Sequence, residues 1–320
     1  MIQISKICEL RVIATCILGA ALGSDACSAP AENPALEDVR PSEQKEPLKG
    51  GNVTNAWGVV SYSNDLWNCT GSMIAPNAVL TAAHCFNGIP GDGGPLHVTI
   101  WYHDPIRGKR QVFSGQATFN RYPYVGSRPD IAVITVPGVF TETDYHDYKR
   151  LLGSGNSLPS SQRFYGAGRF NDTDPSDGQL RTHALTVQDI STAELITDNG
   201  NGIAVCHGDS GGPLNVVAST TGHPDSLELI SGILSQADAN SSGDACASES
   251  YIVPDNGYFA RPCNFVNWIA STIGHTCSSQ SPGANYPYQR CFDLNFVEDI
   301  DFEGQTQGEE VAMLTAIQVF

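Results

Sequence analysis

Short apolar runs alternate with glycine, proline and polar turn residues along most of this chain. The runs lie at residues 59–60, 73–74, 79–80, 97–101, 131–136 and 230–234. Brief apolar runs that are bounded by turn residues are typical of β-strands. Many short strands at close spacing predict an all-β fold, either a sandwich or a barrel.

The first residues have the pattern of an export signal. Lys6 and Arg11 precede an apolar run at residues 12–22, which has the length of a signal core and is too short to span a bilayer. Residues 1–26 are therefore predicted to be a signal peptide and the protein to be secreted, with no transmembrane segment elsewhere. Cleavage after Ala26 would expose Cys27, so anchoring as a lipoprotein through Cys27 is the alternative, although Asp25 fits that signal poorly.

Length and charge narrow the class of protein further. A chain of 320 residues suits one two-lobed domain with extensions better than two independent domains. The formal net charge of −17 argues against nucleic-acid binding, because such binding depends on Lys and Arg that neutralise phosphates. An acidic surface is typical of a soluble exported protein.

The cysteines indicate an oxidising compartment. The chain has 10 of them, and Cys8 and Cys16 leave with the signal peptide. Cysteines that remain in an exported chain are expected to form disulfides. No metal site is predicted, since the sequence has neither a Cys-x-x-Cys motif nor paired histidines at helical spacing.

A glycine-rich segment, CHGDSGG at residues 206–212, carries the strongest chemical signal. Its glycines let the backbone turn sharply and leave the Ser210 hydroxyl exposed. The amide N–H groups of Gly208 and Ser210 lie on either side of that turn, and two such donors can stabilise a developing oxyanion. Upstream, His84 lies in TAAHC and Asp130 begins DIAVI. The order His, Asp, Ser is one of the chain orders of the serine protease triad.

Together these motifs resemble those of the trypsin- and chymotrypsin-like serine proteases, over residues 48–273. The segment GYFARPCNFVNWI at residues 257–269 resembles the last strand and C-terminal helix of that family. The resemblance implies two six-stranded antiparallel β-barrels, a C-terminal helix, and an active site in the cleft between the barrels. It divides the chain into a signal peptide (1–26), a pro-segment (27–47), a protease domain (48–275) and a C-terminal extension (276–320).

The resemblance also implies a role for each triad residue. Ser210 is the nucleophile, and His84 is the base that takes its proton and returns it to the leaving amine. Asp130 holds the other ring nitrogen of His84 and so selects the reactive tautomer. Neither a metal nor an organic cofactor is expected.

Substrate binding is implied at a wider set of positions. The residues that the resemblance assigns to it are Ala204, Val205, His207, Ser235, Gln236, Ala237 and Gly257. Ser235 is expected to bond to the catalytic aspartate. Ala204 stands where specificity for Arg or Lys requires an aspartate, so the side chain before the scissile bond, P1, is predicted to be apolar. Asp238 or Asp244, in a longer loop than usual, is the alternative source of a pocket charge.

The resemblance suggests how most cysteines pair. The expected disulfides are Cys69–Cys85, Cys206–Cys246 and, in the tail, Cys277–Cys291. Cys263 then either pairs with Cys27, or is free, or the tail pairing differs.

Activation by cleavage is a further implication. Cleavage before Leu48 would create an ammonium that pairs with Asp209 and shapes the oxyanion hole. Pro47 makes this an unusual cleavage site, and the alternative is that Asp209 belongs to a fixed turn. The apolar end of the tail, residues 311–320, is a packed strand, a sorting signal or a removable tail.

The sequence therefore predicts a secreted serine endopeptidase, made as a zymogen, that hydrolyses polypeptides as a monomer. Protein protease inhibitors are further candidate partners. The alternative is a protease-like binding or adhesion module that has lost turnover. Because all the triad residues are present, the enzyme is favoured.

Overall fold

The computed structural model describes most of the predicted protease domain and part of the C-terminal extension. The described residues are 51–64, 66–123, 129–141, 143, 147–153, 158–168, 178–191, 193–198, 205, 208–218, 227–237, 256–274, 278–280 and 288–291. The predicted signal peptide and pro-segment lie outside these residues. Among the described residues, no helix is long and apolar enough to cross a membrane.

The N-terminal half folds into a closed antiparallel barrel. Its strands are β1 (Asn52–Val53), β2 (Val59–Asn64), β3 (Asn68–Ala75), β4 (Ala78–Thr81), β5 (Pro95–Asp104), β6 (Gly108–Arg121) and β7 (Ala132–Thr135). Six of them close the barrel in the order β2-β3-β4-β7-β6-β5, while β1 pairs with a strand of the second half.

Side-chain alternation explains why these segments form a barrel. Along β5, Leu96, Val98, Ile100 and Tyr102 are buried, and the residues between them are exposed or half-buried. This period of two directs one row of side chains into the barrel interior. β4, by contrast, is buried along its whole length and pairs with β3 on one side and β7 on the other.

The C-terminal half forms a second ring of six strands. Its strands are β8 (Arg150–Leu152), β9 (Ser161–Gly166), β10 (Arg181–Ile190), β11 (Glu194–Asp198), β12 (Pro213–Ala218), β13 (Leu227–Ala237) and β14 (Asn256–Ala260). The ring runs β12-β9-β10-β11-β14-β13 and closes through the pairing of β13 with β12, whereas β8 lies outside the ring and pairs in parallel with the first part of β13. Two six-stranded antiparallel barrels confirm the predicted fold.

A short helix closes the domain, also as predicted. A 3₁₀ turn, Pro262–Phe265, leads into α1 (Val266–Ile273), which ends at Gly274 with φ of 73°. Glycine tolerates this left-handed conformation without a Cβ clash. The Tyr122 ring lies 4.7 Å from the ring of Phe265 and 5.3 Å from that of Trp268, so the helix from the end of the domain docks on the first barrel.

A hairpin beyond the helix extends the second sheet. β15 (Ser278–Gln280) pairs with β16 (Tyr288–Arg290), and β16 pairs with β8. Cys291, which directly follows β16, is buried and disulfide-bonded. Its predicted partner Cys277 lies outside the described residues. The first part of the C-terminal extension is therefore part of the folded sheet, whereas residues 311–320 are not described.

An ionic network around the buried Lys149 side chain joins the segment before β8 to the second barrel. The Lys149 ammonium lies 2.7 Å from Glu228 Oε2, and the Tyr165 hydroxyl donates to Glu228 Oε1 at 2.6 Å. Arg163 adds a contact of 3.0 Å to the same oxygen. Burial opposes ionisation of Glu228, but the charge of Lys149 and the hydrogen bonds outweigh it and lower the pKa of that carboxyl.

Candidate active site

His84 is held in a rigid turn after β4. It belongs to the 3₁₀ helix Ala83–Phe86, and its neighbour Cys85 forms a disulfide with Cys69 on β3, at a sequence separation of 16. The structure thus contains the predicted Cys69–Cys85 bridge. Phe86 stacks on Phe119 with ring centroids 4.6 Å apart, which anchors the other side of the turn in the barrel core. The imidazole consequently has little freedom to move.

Asp130 lies beneath the His84 ring, just before β7. Its Oδ2 is 2.5 Å from His84 Nδ1, and its Oδ1 accepts the backbone N–H of His84 at 2.8 Å. Because a carboxylate can only accept, Nδ1 must carry the proton. Nε2 is then the ring nitrogen that can accept a proton from a serine hydroxyl.

Ser235, on β13 of the second barrel, completes the surroundings of Asp130. Its hydroxyl donates to Asp130 Oδ2 at 2.8 Å. The contact is the one that the family resemblance implied, and it joins the two barrels at the aspartate. Asp130 is only 7% exposed, so its charge depends on these donors.

The pair His84 and Asp130 has coupled titrations. Burial alone lowers the pKa of His84, but the neighbouring carboxylate and its hydrogen bond outweigh burial and raise it. Burial would raise the pKa of Asp130, whereas the charge of His84 and the hydrogen bonds from His84 and Ser235 lower it. Asp130 is therefore ionised at neutral pH, and the imidazole is a stronger base than a free one.

The Ser210 loop is fixed by backbone hydrogen bonds from the two glycines that follow the serine. The N–H of Gly211 donates to Leu234 O at 2.9 Å, and that of Gly212 donates to Asp209 O at 2.9 Å. Gly211 has φ of 79°, and a Cβ there would collide with the Thr70 carbonyl and the Thr81 hydroxyl. The glycine at this position is thus required by packing as well as by conformation.

Asp209 points away from solvent beneath the same loop. It is fully buried, and its carboxylate accepts the N–H of Gly168 at 3.0 Å. Any side chain at Gly166 would collide with that carboxylate. The Ser210 loop is consequently tied to the end of β9 through a buried hydrogen bond.

The other predicted site residues divide into two groups. Val205 is buried in the second barrel, and Ala237 on β13 lies opposite Gly257 on β14, next to the exposed Gln236. Gln236, Ala237 and Gly257 thus lie along two paired strands, whereas Val205 lies outside any strand. The remaining predicted positions lie outside the described residues: Leu48, Ala204, Cys206, His207 and Cys246.

Sequence reasoning missed Thr70. This residue lies on β3 and contacts the Ser210 loop, with its hydroxyl 2.7 Å from Gly208 O and its N–H 2.9 Å from Ser210 O. A threonine in a strand is ordinary, so the sequence carries no signal for these contacts. Within the described part of the chain, no group of three or more His, Cys, Asp or Glu side chains is arranged to hold a metal ion.

Two barrels, with a histidine–aspartate pair on one and a glycine-flanked serine on the other, define the architecture of a chymotrypsin-fold protein. The chain belongs to the trypsin family, whose family model, described as Trypsin, matches residues 48–269. The family that the motifs indicated is thereby confirmed.

Individual relatives are distant. The chain is similar to brachyurin from Leptuca pugilator, with 26% identity over 241 residues, 70% of this chain and 96% of the relative. It is 31% identical to neutrophil elastase from Mus musculus over 216 residues, 64% of this chain and 73% of the relative. Chymotrypsin-C from Bos taurus is 26% identical over 233 residues, 63% of this chain and 76% of the relative.

Proposed function

We propose that the protein is a secreted serine endopeptidase that hydrolyses peptide bonds through an acyl-enzyme on Ser210. The observation that carries the proposal is the environment of Asp130. Its carboxylate accepts hydrogen bonds from the His84 ring, the His84 backbone and the Ser235 hydroxyl. The His84 side chain is 29% exposed. Hydrogen bonds that orient a solvent-accessible imidazole are expected of a catalytic aspartate rather than of a purely structural one.

In the proposed reaction, Ser210 Oγ attacks the scissile carbonyl carbon while its proton passes to His84 Nε2. Asp130 stabilises the imidazolium that forms and holds its tautomer. The carbonyl oxygen becomes an oxyanion and accepts the N–H groups of Gly208 and Ser210. The imidazolium then protonates the leaving amine as the C–N bond breaks. Water, deprotonated by His84, releases the acyl group and restores Ser210.

We further propose that the P1 side chain is apolar. Support comes from the buried side chain of Val205 and from the glycine at position 257, which leaves room on β14. Position 204 is an alanine, which offers no charge to a bound cation. Burial of an apolar side chain contributes roughly 1.5–3 kcal/mol, whereas an unpaired ammonium loses its hydration.

Control by proteolysis is proposed at Leu48. β1 pairs with β10 through Val53 and Arg181, and Arg181 in turn lies opposite Gly166, which packs on the Asp209 carboxylate. A chain spans at most about 3.3–3.6 Å per residue, so the few residues before β1 are enough to carry a new ammonium toward Asp209. N-terminal sequencing of active enzyme checks this: a start at Leu48 supports it, and a start at Cys27 or Ser28 excludes it.

One experiment tests the enzyme and its specificity together. We expect processed protein to be labelled at Ser210 by a fluorophosphonate and to cleave peptide para-nitroanilides that end in Phe, Tyr, Leu or Met about tenfold or more faster than those that end in Arg or Lys. Ser210→Ala should abolish labelling and lower kcat by a factor on the order of 10⁴–10⁶.

The outcomes separate the proposals. Processed protein that folds but neither labels nor turns over would be a binding or adhesion module, and the enzyme proposal would be wrong. A labelled enzyme that prefers Arg would leave the reaction intact but overturn the apolar P1 pocket, and it would assign the charge to Asp238 or Asp244.

A further inference from the structure

Thr70 connects the Ser210 loop to both barrels at once. It lies on β3, directly after Cys69, and is fully buried. Its hydroxyl donates to the carbonyl of Gly208 at 2.7 Å and accepts the N–H of Ala167 at 2.9 Å. One side chain of the first barrel thus bonds to two segments of the second half of the chain.

The backbone of Thr70 reinforces the same connection. Its N–H donates to the carbonyl of Ser210 at 2.9 Å, and its own carbonyl accepts the Thr81 hydroxyl at 2.8 Å. Gly208 and Ser210, the two residues whose carbonyls Thr70 holds, are also the residues whose N–H groups would bind the oxyanion. Thr70 therefore contacts both halves of the proposed oxyanion hole.

Of the two residues of the proposed oxyanion hole, Gly208 depends more on hydrogen bonds from neighbouring residues to keep its conformation. Its φ is 87°, a conformation that suits glycine, and it has no Cβ to limit rotation of the flanking peptides. A residue of this kind is held in place by the hydrogen bonds of its peptide groups. The bond from the Thr70 hydroxyl fixes the peptide that follows Gly208 and so restricts the residue that presents the N–H donor.

We propose that Thr70 is a positioning residue that sets the geometry of the oxyanion hole. The inference rests on the proposed serine endopeptidase activity. A valine at this site keeps the shape of threonine but leaves the Gly208 carbonyl and the Ala167 N–H without their hydroxyl partner. Removal of an oxyanion donor costs about 10²–10³ in kcat, and misplacement of one costs less. Thr70→Val should therefore lower kcat on the order of 10–100-fold.

The test compares Thr70→Val, Thr70→Ser and Thr118→Val with wild type. Serine keeps the hydroxyl and should stay within about threefold of wild-type kcat. Thr118→Val is the matched control, because it removes a part-buried hydroxyl that bonds to Thr135 in the first barrel, far from the loop in sequence. Its kcat should be unchanged, and KM should stay within about threefold in all the variants.

Inhibition by a peptidyl trifluoromethyl ketone is a second measurement, and its inhibition constant would not change if the role of Thr70 were only structural. Its hemiketal oxyanion occupies the donor site, so its inhibition constant should rise in Thr70→Val by the same factor as kcat falls. It should be unchanged in Thr70→Ser and Thr118→Val. Equal kcat and equal inhibition in folded Thr70→Val would overturn the inference while the enzyme proposal stands.

Other outcomes are equally decisive. A wild-type protein that neither turns over substrate nor is labelled overturns the proposed function and this inference together.

If Thr70→Val does not fold, Thr70→Ala and Thr70→Cys take its place. Failure of all these variants to fold would assign Thr70 to stability alone and contradict the inference. Loss of kcat in Thr70→Ser equal to that in Thr70→Val would do so too, because the hydroxyl would then not be what matters.

Discussion

At the scale of single residues, the carboxylate of Asp130 shows how a charge is kept in an interior position. Three donors, two from His84 and one from Ser235, surround it. The two bonds from His84, at 2.5 and 2.8 Å, are shorter than a typical neutral N–H···O bond, as charge-assisted bonds are. The same contacts that keep Asp130 ionised raise the pKa of His84, so stabilisation of the charge and activation of the base have one cause.

This coupling predicts the acid limb of the pH–activity profile. A protonated imidazole cannot accept the Ser210 proton, so kcat/KM should fall as pH drops through the pKa of His84. Because that pKa is raised, the midpoint should lie above the ordinary value of 6.5. Asp130→Asn removes the negative charge and should move the midpoint below that of wild type, while kcat falls about 10⁴-fold because the tautomer is lost.

Profiles of kcat/KM from pH 4 to 9, with NMR titration of the His84 ring as a measurement independent of turnover, would check the shift. Asp92→Asn is the matched control, since it removes a half-exposed carboxylate that pairs with Arg121. Its midpoint should equal that of wild type. An Asp130→Asn enzyme with an unshifted His84 titration would contradict the coupling.

The candidate residues differ in how far the sequence reveals them. His84, Asp130 and Ser210 lie in motifs, and the resemblance pointed to Ser235. Thr70 could not be found in this way, because its hydroxyl partners are 138 and 97 residues away along the chain. Contacts of that kind exist only after the strands have been placed in three dimensions.

At the scale of strands and helices, the strands with buried apolar side chains are the ones that the sequence pattern predicts. The apolar runs at residues 79–80 and 131–136 became β4 and β7, which pair with each other in the barrel. By contrast, β10 has the sequence RTHALTVQDI, and most of its side chains are at least partly exposed. A strand that faces water lacks the apolar signal on which pattern analysis depends, so this strand followed from the family resemblance alone.

The segment before β8 was not predicted as a structural junction. Lys149 donates its N–H to Met73 O at 2.7 Å in the first barrel, while its ammonium pairs with Glu228 near the start of β13 in the second. The Lys149 side chain is only 3% exposed. A buried lysine depends on its partner, because an uncompensated ammonium in the interior is strongly destabilising.

Glu228→Gln should therefore destabilise the protein by roughly 3 kcal/mol at pH 7. The pKa of Glu228 is lowered in the folded state, so its contribution is present above the ordinary pKa of about 4.5 and disappears as pH falls through the folded value. The difference between wild type and Glu228→Gln should consequently shrink in acid. Urea unfolding at several pH values measures it, in a Ser210→Ala background that prevents autolysis.

A double variant provides the control for this pair. Replacing Lys149 with Met in the Glu228→Gln protein removes the buried ammonium itself, so the double variant should be more stable than Glu228→Gln. A stability difference that stays constant from pH 7 to pH 3 would show that the carboxylate charge is not the cause.

At the scale of the whole molecule, the candidate site exists only when both barrels are assembled. His84 and Asp130 belong to the first barrel, whereas Ser210 and Ser235 belong to the second. The hydrophobic core crosses the same boundary, because Ile230 and Ile233 of β13 pack in one cluster with first-barrel residues. The periodicity of apolar residues could not predict this arrangement, since it specifies neither the order of the strands nor the closure of the barrels. The arrangement was predicted from the motifs, because they indicated the family and its fold.

The C-terminal hairpin lay beyond that family match, which ends at residue 269. Its strands are three residues each, SSQ and YQR, and neither has an apolar pattern. Yet β16 covers the edge of β8, the strand next to the Lys149 junction. The hairpin therefore protects an edge that would otherwise offer unpaired backbone groups to solvent or to other chains.

This placement predicts different outcomes for two truncations of the Ser210→Ala protein. A chain that ends at residue 275 loses β15, β16 and the disulfide of Cys291, and its Tm should fall by about 5–15 °C, as expected when a native disulfide and its strand pairing are removed. A chain that ends at residue 291 keeps the hairpin and should melt within about 2 °C of full length. Differential scanning calorimetry at matched pH compares them. Equal Tm values for all these chains would show that the hairpin adds nothing to the barrel, whereas a large loss in the 291 chain would move the stabilising element into residues 292–320.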